Sequence, residues 1–378
     1  MKTDVLVIGG GAIGLTLAHE LARRGRTITV IDRDRFDAAG ERAGAVGAPF
    51  RSASSWAAAG ILPPAHLESS TDPIDRLRGL SHGLFPELAE RLARESGVNP
   101  QLRRCGGWYL ADTLGEAASM VGMVSYWREL SIECEEMDLA DFIRAEPALQ
   151  DWAKTTPRAK AWWIPDEYQI NTPLFLHALV GACRKRGVRF LEQSKVVDIR
   201  ESDVDVSALL AGPSDQQQTV RADQAVLCGG AWTGQISDRL RLSQSLVPVR
   251  GQMLMLKTKT PLVSSIINLG QRYLVPRADG AVLVGSCEEE VGFQHGTTPS
   301  ALSDLRRFVR EVCPVLASSA REVAAWSGLR PLTFDGFPIC GKLPGSKSIY
   351  VSTGHFRSGV HLSPGTATCL ADLMSGQQ

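Results

Sequence analysis

The first 32 residues constrain the fold of this chain more than any other stretch. Residues 5–8, Val-Leu-Val-Ile, form a short apolar run, which is typical of a strand buried on both faces. Three glycines in the spacing G-x-G-x-x-G separate this strand from an amphipathic helix predicted over residues 12–24. A second buried strand, over residues 27–31, ends at Asp32. This order of strand, glycines, helix, strand and acid predicts a βαβ unit that binds a dinucleotide.

Each residue of this motif has its own physical role. Gly9 permits the tight turn after the strand, Gly11 lets the backbone approach a pyrophosphate, and Gly14 lets the helix pack close to the strand. The pyrophosphate would lie at the helix N-terminus, where unpaired N–H groups and the helix dipole favour an anion. Asp32 stands where a carboxylate accepts hydrogen bonds from ribose hydroxyls, and its charge disfavours the 2′-phosphate of NADP. The motif does not separate NAD from FAD, and a glycine-rich turn in another α/β unit is the alternative.

The composition excludes several classes of protein. The chain has 378 residues, enough for two domains, and Lys plus Arg and Asp plus Glu both total 41. The net charge therefore gives no reason to expect nucleic acid or an anionic membrane as a partner, and no apolar run approaches the roughly 20 residues of a membrane span. Eight cysteines are scattered singly and seven histidines show no ligand spacing, so we predict no metal site and no disulfide framework. Reduced thiols favour a cytoplasmic protein.

Small residues recur where later backbone segments could approach a flat ligand. Residues 57–60 read Ala-Ala-Ala-Gly, with a plain alanine-rich helix as the alternative. A buried strand over residues 225–228 runs into Gly229, with an ordinary turn as the alternative. Near the C-terminus, Ser363 and Pro364 predict the start of a helix over residues 367–374, as an N-cap and a first-turn proline.

Another helix start is predicted in the middle of the chain. Thr172 precedes Pro173, so we expect Thr172 to cap a helix that Pro173 begins and Gly187 ends.

Taken together, these motifs resemble the amino-acid-oxidising flavoenzymes of the D-amino-acid oxidase and sarcosine oxidase superfamily. The closest match is the glycine oxidase branch, which is associated with thiamine synthesis. Six motifs carry the resemblance in the family's order and span nearly the whole chain. They lie at residues 9–14, 54–60, 229–234, 272–277, 328–336 and 354–357.

The resemblance implies an α/β fold. A Rossmann-like FAD-binding domain would be interleaved with an α+β substrate domain that has a mainly antiparallel sheet. The FAD-binding domain would comprise residues 1–80, 160–243 and 324–378, and the substrate domain residues 81–159 and 244–323. The sarcosine oxidases attach flavin through a cysteine near the position of Gly328. A glycine at this place implies that FAD is bound non-covalently.

The resemblance also implies a substrate site. Arg330 would hold the substrate carboxylate in its guanidinium fork, Tyr273 would hydrogen-bond the same carboxylate, and Arg357 would lie near the flavin or the pocket mouth. The alternatives are an ion pair of Arg330 with Asp335, a half-buried strand tyrosine, and a loop ion pair of Arg357. Ile61 matches an apolar pocket position, but it is an equally good core residue. The residues that would contact the cofactor are Gly9, Gly11, Ile13, Gly14, Asp32, Arg33, Ser54, Ser55, Ala59, Gly60, Val197, Gly229, Trp232, Gly354, Arg357, Ser358 and Gly359.

The implied activity is the oxidative deamination of glycine or a related small amine, such as sarcosine or a small D-amino acid. The amine would be oxidised to an imine that water hydrolyses to the oxo acid and ammonia, and dioxygen would reoxidise the flavin to give hydrogen peroxide. The dipole of the helix near Pro364 would stabilise negative charge on the reduced flavin. A homo-oligomer is an assembly that the resemblance allows. The alternatives are a D-amino-acid dehydrogenase that passes electrons to a quinone or carrier, and a flavin-binding protein without turnover.

Two features fit no part of this pattern. Residues 33–50 form a loop rich in Gly, Ala and charged residues, and its role is open. Glu288 falls at the expected edge of the substrate pocket, where at least one glycine oxidase has an apolar residue. We therefore expect either that Glu288 points to solvent or that the substrate choice differs.

Overall fold

The computed structural model of the protein describes residues 3–36, 53–212, 217–237, 240 and 242–376. Residues 37–50 of the predicted loop lie outside this description. The strands, in chain order, are β1 (Thr3–Ile8), β2 (Ile28–Ile31), β3 (Ile61–Leu62), β4 (Arg103–Arg104), β5 (Gly107–Ala111), β6 (Glu135–Met137), β7 (Lys160–Ile164), β8 (Tyr168–Gln169), β9 (Arg189–Leu191), β10 (Lys195–Glu201), β11 (Val206–Ala211), β12 (Gln217–Leu227), β13 (Val247–Lys257), β14 (Ile266–Leu269), β15 (Arg272–Pro276), β16 (Ala281–Gly285), β17 (Arg321–Leu332), β18 (Ile339–Lys342) and β19 (Ile349–Thr353). The helices are α1 (Ala12–Arg23), α2 (Ser54–Ala57), α3 (Pro73–Ser96), α4 (Leu114–Glu129), α5 (Leu139–Ala145), α6 (Gln150–Thr155), α7 (Thr172–Lys185), α8 (Pro299–Val312), α9 (Pro314–Ser319) and α10 (Gly359–Met374).

The first sheet has a parallel centre in the order β19-β12-β1-β2-β9. Its strand β1 is buried on both faces, as the apolar sequence predicts. Val5 and Val7 pack into a core shared with helices α1, α3, α7 and α10, whereas Leu6 and Ile8 pack into a second core with residues of β10 and β11. All four side chains are at most 4% exposed. This double burial holds the carboxyl end of β1, and the glycines after it, in one position.

The long strand β12 pairs with β1 along one edge and with two different strands along the other. Residues 217–222 pair antiparallel with β11, and residues 225–227 pair parallel with β19. The strands β10, β11 and β12 therefore form a meander that continues directly into the parallel centre. The same strand carries the chain to Gly229 at the carboxyl edge of the sheet.

The second sheet has the order β17-β13-β16-β15-β14-β5-β7-β6 and is antiparallel except between β14 and β5. The mainly antiparallel sheet that the resemblance implies is thereby confirmed. One of its faces packs against helices α5, α6, α8 and α9, through side chains such as Phe142, Trp152, Phe308 and Leu316. No helix within the described ranges is both long enough and apolar enough to cross a membrane.

The predicted cap of helix α7 is wrong by one residue. Asn171 is the N-cap, because its side-chain oxygen accepts a hydrogen bond from the N–H of Leu174 at 3.3 Å. Thr172 is the first helical residue, and its hydroxyl donates to the carbonyl of Ala58 at 2.9 Å. Both side chains are good caps in sequence, so tertiary contact with the segment after α2 decides which one is used.

The predicted start of the last helix is also wrong, because α10 begins at Gly359 and contains Pro364 in its interior. A proline has no N–H, so the carbonyl of Val360 loses its usual helical partner. The hydroxyl of Ser363, predicted as the cap, donates to that carbonyl at 2.9 Å instead. The helix N-terminus therefore lies five residues earlier than predicted, next to the turn that carries Arg357 and Ser358.

Candidate active site

A cavity of about 780 Å³ lies between the carboxyl ends of the parallel strands and the second sheet. Ile8 of β1, Ile31 of β2 and Thr353 of β19 mark the strand ends in its wall, and Met253 and Tyr273 belong to the second sheet. Ligands of open α/β sheets bind at the carboxyl ends of parallel strands. The cavity therefore lies where the sequence motif predicts a dinucleotide.

The turn between β1 and α1, residues 9–11, has the geometry that its glycines predict. Gly9 has a φ of +113°, which favours glycine. A Cβ on Gly14 would lie 1.9 Å from the carbonyl oxygen of Gly9, so only glycine lets the helix pack this close. The N–H of Ala12, in the first turn of α1, donates to the hydroxyl of Ser55 at 3.0 Å. The helix N-terminus thus faces the cavity, beside the predicted Ser54–Ser55 pair.

Asp32 lies in the cavity wall directly after β2. Its carboxyl accepts hydrogen bonds from the N–H groups of Gly10 at 2.6 Å and Asp34 at 2.8 Å. Burial raises the pKa of Asp32 to about 6, although these two hydrogen bonds oppose the shift. Each carboxyl oxygen keeps a second lone pair. The side chain is therefore held in one orientation with acceptor capacity left for hydroxyl groups.

Most of the predicted cofactor contacts line this one cavity, although they come from distant parts of the chain. The lining residues among them are Gly9, Gly11, Ile13, Asp32, Arg33, Ser54, Ser55, Ala59, Gly60, Gly229, Trp232, Arg357, Ser358 and Gly359. Gly14, Val197 and Gly354 lie outside the lining. Val197 stands at an irregularity in the pairing of β10 and is 38% exposed, whereas its neighbour Val196 lines the cavity.

An aromatic and cationic stack lies at one side of the cavity, where Arg33 and Trp232 belong to the lining and His295 does not. The guanidinium of Arg33 lies 3.9 Å above the ring of Trp232. The imidazole of His295 stacks on the same indole, with 5.4 Å between ring centroids and 5° between planes. Sequence reasoning identified Arg33 and Trp232 and missed His295, because no motif marks the loop after β16.

Arg330 projects from β17 over Gly251 of the neighbouring strand β13. A Cβ on Gly251 would lie within 2.4 Å of the guanidinium, so the glycine provides the space that this side chain occupies. Nη1 donates to the carbonyl of Cys287 at 3.1 Å and Nη2 to the hydroxyl of Ser286 at 2.9 Å. The alternative ion pair with Asp335 does not occur among the described contacts, where Asp335 accepts from the N–H of Phe337.

Tyr273 has a comparable setting on β15. Its ring lies over Gly285 of β16, where a Cβ would be 2.4 Å from the ring, and its hydroxyl is 3.4 Å from the sulfur of Met253. Tyr273 and Arg330 both line the cavity. Gly251 and Gly285 are supporting residues that sequence reasoning missed. The sequence signal for both was an isolated glycine inside a strand pattern, which often marks a place where other atoms approach the backbone closely.

Arg357 and Glu288 meet at the mouth of the cavity. The Nε of Arg357 donates to Oε1 of Glu288 at 2.5 Å, and Nη2 donates to Gln271 at 2.9 Å. The same Oε1 lies 3.9 Å from Nη1 of Arg330. Burial opposes ionisation of Glu288, but the hydrogen bond from Arg357 and the two guanidinium charges outweigh it and lower its pKa. Glu288 is exposed, as the first alternative expects, but its carboxylate is also held between two arginines that line the cavity.

A second buried polar cluster lies beside the cavity and was not predicted. Glu167 is fully buried, and its carboxyl accepts a hydrogen bond from the hydroxyl of Tyr109 at 2.8 Å. Tyr109 and Asn268 pair across β5 and β14, and both line the cavity. Asn268 also pairs with Tyr273 on its other side, so one row of the sheet joins this cluster to the predicted substrate site.

Comparisons with known proteins agree with this geometry. Residues 4–373 match the sequence profile of a family described as FAD dependent oxidoreductase. A glycine oxidase of Pseudomonas aeruginosa is 30% identical over 381 residues, which cover 100% of this chain and 96% of that protein. The crystal structure of glycine oxidase from Geobacillus kaustophilus is similar with a TM-score of 0.86 and 30% identity, over 100% of this chain and 95% of that one.

A longer relative also matches from end to end of this chain. The bifunctional protein ThiO/ThiG of Trichormus variabilis is 27% identical, over 100% of this chain and 53% of that protein. The profile match and the full-length relatives agree with the parallel sheet, the glycine turn and the cavity described above. The chain therefore belongs to the DAO family of FAD-dependent oxidoreductases.

Proposed function

We propose that this protein oxidatively deaminates glycine or a related small amine, such as sarcosine or a small D-amino acid. FAD is the cofactor of its family and, when bound, supplies the redox chemistry by taking two electrons from the substrate. The observation that carries the proposal is the position of Arg330. This partly buried guanidinium lines the same cavity as the glycine turn, is 16% exposed and has hydrogen-bond donors to spare.

The residues in the cavity fit FAD. The N–H groups of Gly11 and of the first turn of α1 would hold the pyrophosphate, and Asp32 would accept from the ribose hydroxyls. The N-terminus of α10, at Gly359, would face the electron-rich edge of the ring system and stabilise negative charge there. A Cβ on Gly328 would lie 2.6 Å from that of Ala57, so this position has no room for a larger residue. The tight packing supports non-covalent binding.

Arg330 would bind the substrate carboxylate. A guanidinium has five N–H donors, and two of them bond to Cys287 and Ser286, so three are left for a carboxylate. These two bonds hold the fork in place before the substrate arrives, which reduces the entropy lost on binding. The hydroxyl of Tyr273, on β15 of the same sheet, would donate one further hydrogen bond to the carboxylate.

The proposed mechanism depends on positioning rather than on a protein base. The cavity-lining histidines, His355 and His361, are buried, and burial lowers the pKa of His355 to about 4 and that of His361 to about 3. Imidazoles with such pKa values are weak bases at neutral pH. We therefore propose that the substrate binds as the neutral amine, oriented by Arg330 and Tyr273.

Several further properties belong to this proposal. Dioxygen would be the electron acceptor, and water would hydrolyse the imine to the oxo acid and ammonia. All eight cysteines are unpaired in the structure, which supports a cytoplasmic location. The relatives named ThiO/ThiG support the association with thiamine synthesis that the resemblance implies. A homo-oligomeric assembly stays a prediction.

The proposal is tested by an anaerobic reduction screen of the purified FAD-loaded protein. Glycine, sarcosine and small D-amino acids are added in turn, and bleaching of the flavin absorbance is followed. The Arg330→Ala variant should lose about 100-fold or more in kcat/KM, because a buried charge-assisted pair is removed, while its FAD content stays unchanged. Arg310→Ala, in the exposed last turn of α8, is the matched control.

Each outcome of the screen separates the candidate functions. Bleaching followed by hydrogen peroxide formation in air supports the oxidase, whereas bleaching without peroxide supports the dehydrogenase. If none of the amines bleaches the flavin, a flavin-binding protein without turnover is favoured. Normal activity of Arg330→Ala on glycine would contradict the assignment of Arg330 to the carboxylate.

A further inference from the structure

Three charged side chains meet where the cavity opens. Arg330 and Arg357 both line the cavity, and one carboxylate oxygen of Glu288 lies between them. It accepts from Nε of Arg357 at 2.5 Å and lies 3.9 Å from Nη1 of Arg330. The side chain of Glu288 is 37% exposed and that of Arg357 is 47% exposed, so this carboxylate lies at the exposed rim, beside the two arginines that line the cavity.

The residues beside Glu288 hold it in this position. Glu289 exchanges two backbone hydrogen bonds with Arg250 of β13, at 2.8 and 3.0 Å. The carboxylate of Glu289 also accepts from the guanidinium of Arg250 at 3.0 and 3.1 Å and from the amide of Gln252 at 2.6 Å. On the other side, the carbonyl of Cys287 accepts from Arg330. Glu288 therefore sits on a backbone that is tied to β13 and β17 and directed toward the mouth.

The charges at the mouth sum to one positive unit. Arg330 and Arg357 contribute two positive charges, and Glu288 removes one of them by pairing with Arg357. A neutral-amine substrate with one carboxylate brings a single negative charge, which Arg330 can balance. A substrate with a second carboxylate would find Arg357 already paired and would meet the negative charge of Glu288 at close range.

We propose that Glu288 determines substrate specificity by restricting the site to amines that carry one carboxylate. Glu288 offsets the positive charge of Arg357, so the second guanidinium attracts a second acidic group of the substrate less strongly. Removing this carboxylate converts the mouth into a site for two acidic groups. The inference rests on the proposed role of Arg330 in the preceding section.

The experiment uses the FAD-loaded protein and its Glu288→Gln variant. Glycine is compared with iminodiacetate, a secondary amine with two carboxylates, as the ratio of their kcat/KM values. The ratio should shift toward iminodiacetate by about fivefold or more, the factor expected from one half-exposed charge pair, and the shift should shrink in high salt. Binding of acetate and malonate, followed by the change in flavin absorbance, measures the same preference without turnover.

Two further variants distinguish charge from structural disturbance. Glu290→Gln removes an exposed carboxylate two residues along the chain and should leave both ratios unchanged. The double variant Glu288→Gln, Arg357→Gln returns the mouth to one positive charge, so its preference should return toward that of the wild type. A merely structural role of Glu288 would not produce this return.

An unchanged preference in Glu288→Gln, or an equal shift in Glu290→Gln, would overturn the inference. Failure of the proposed function would look different. A wild-type protein that oxidises none of the amines refutes the amine oxidase, and the acetate and malonate titrations then decide about Glu288 on their own. Absence of any carboxylate binding would overturn both proposals.

Discussion

At the scale of single residues, the environment of Glu167 disfavours its ordinary charge state. Burial raises its pKa to about 7, although hydrogen bonding by Tyr109 and Asn268 opposes the shift. Neither Oε1 of Glu167 nor Nδ2 of Asn268 has a hydrogen bond of normal geometry within the described residues. The folded protein therefore favours the protonated form of this carboxyl group over the ionised form.

The raised pKa predicts how stability depends on pH. The carboxyl ionises near 4.5 in the unfolded chain and near 7 in the folded one, so its contribution is fully present below pH 4.5 and is lost as the pH rises through 7. Glu167→Gln keeps a neutral side chain at every pH. Between pH 4.5 and 8 the free energy of unfolding of the wild type should fall by about 2–3 kcal/mol relative to this variant.

Urea unfolding of both proteins at pH 4.5 and pH 8 measures this difference. Glu290→Gln, at an exposed position, controls for the general effect of removing a carboxylate. The same stability difference between wild type and Glu167→Gln at both pH values would contradict the prediction.

At the scale of elements, the strands of the second sheet use glycines to seat functional side chains. Val249 of β13 pairs with Arg330 of β17, and Gly251 two residues further on leaves room for the guanidinium. The same device recurs where Gly285 of β16 underlies Tyr273. On the face of the sheet toward the cavity, these glycines leave space for the side chains of Arg330 and Tyr273, which would bind substrate.

Gly251→Ala should displace Arg330 without touching the cofactor site. The added Cβ would lie 2.3 Å from Nη2, a distance that forces the guanidinium to move. We expect KM for the amine substrate to rise about tenfold or more, while the FAD content and the flavin spectrum stay unchanged. Steady-state kinetics together with the ratio of flavin to protein absorbance measures both quantities.

Gly83→Ala is the matched control, because a Cβ there meets no atom within 4 Å in helix α3. It should retain normal kinetics and gain a little stability from the higher helix propensity of alanine. An unchanged KM in Gly251→Ala would show that Arg330 does not need its observed position.

The elements also show how far the sequence can be read. The βαβ unit was predictable because its strand, glycines and acid are neighbours in sequence, and Gly9 and Gly14 have the predicted geometry. The placement of Glu288 between two arginines could not be predicted, because it depends on the register of β13 and β17, which are about 80 residues apart in sequence. The start of α10 was predicted too late in the chain. A proline inside a helix is tolerated when a serine hydroxyl donates to the carbonyl that the proline leaves without a partner, and the sequence alone does not show that bond.

At the scale of the whole molecule, Arg277 joins the second sheet to the segments that border the first. It follows β15, and its guanidinium donates to the carbonyl of Ala59 at 2.9 Å, to that of Ile170 at 3.1 Å and to the side chain of Gln169 at 2.8 Å. Burial lowers the pKa of Arg277 to about 10, which leaves it charged at neutral pH. We propose that this residue fixes the two predicted domains relative to each other; the domain boundaries themselves stay a prediction.

Arg277→Met should destabilise the whole protein. It leaves three buried acceptors without their donor, and we expect a loss of about 3–5 kcal/mol in the free energy of unfolding. Urea unfolding followed by tryptophan fluorescence measures the loss. Arg310→Met, an exposed change of the same chemistry on α8, should shift the midpoint very little. A similar midpoint for both variants would show that Arg277 does not link the two parts.

The double membership of β12 limits where the chain can change its length. Residues 217–222 pair with β11 in the hairpin and residues 225–227 pair with β19. Ala222 and Gln224 also pair with β1, so the antiparallel and parallel ladders meet without a gap. Insertions in the hairpin loop would leave every side chain of β12 on its present face. A single deletion at Asp223 or Gln224 would reverse the alternation of residues 217–222 relative to residues 225–227 and disturb the pairing with β1. Natural variation in chain length is therefore expected in the hairpin loop and not at residues 222–224.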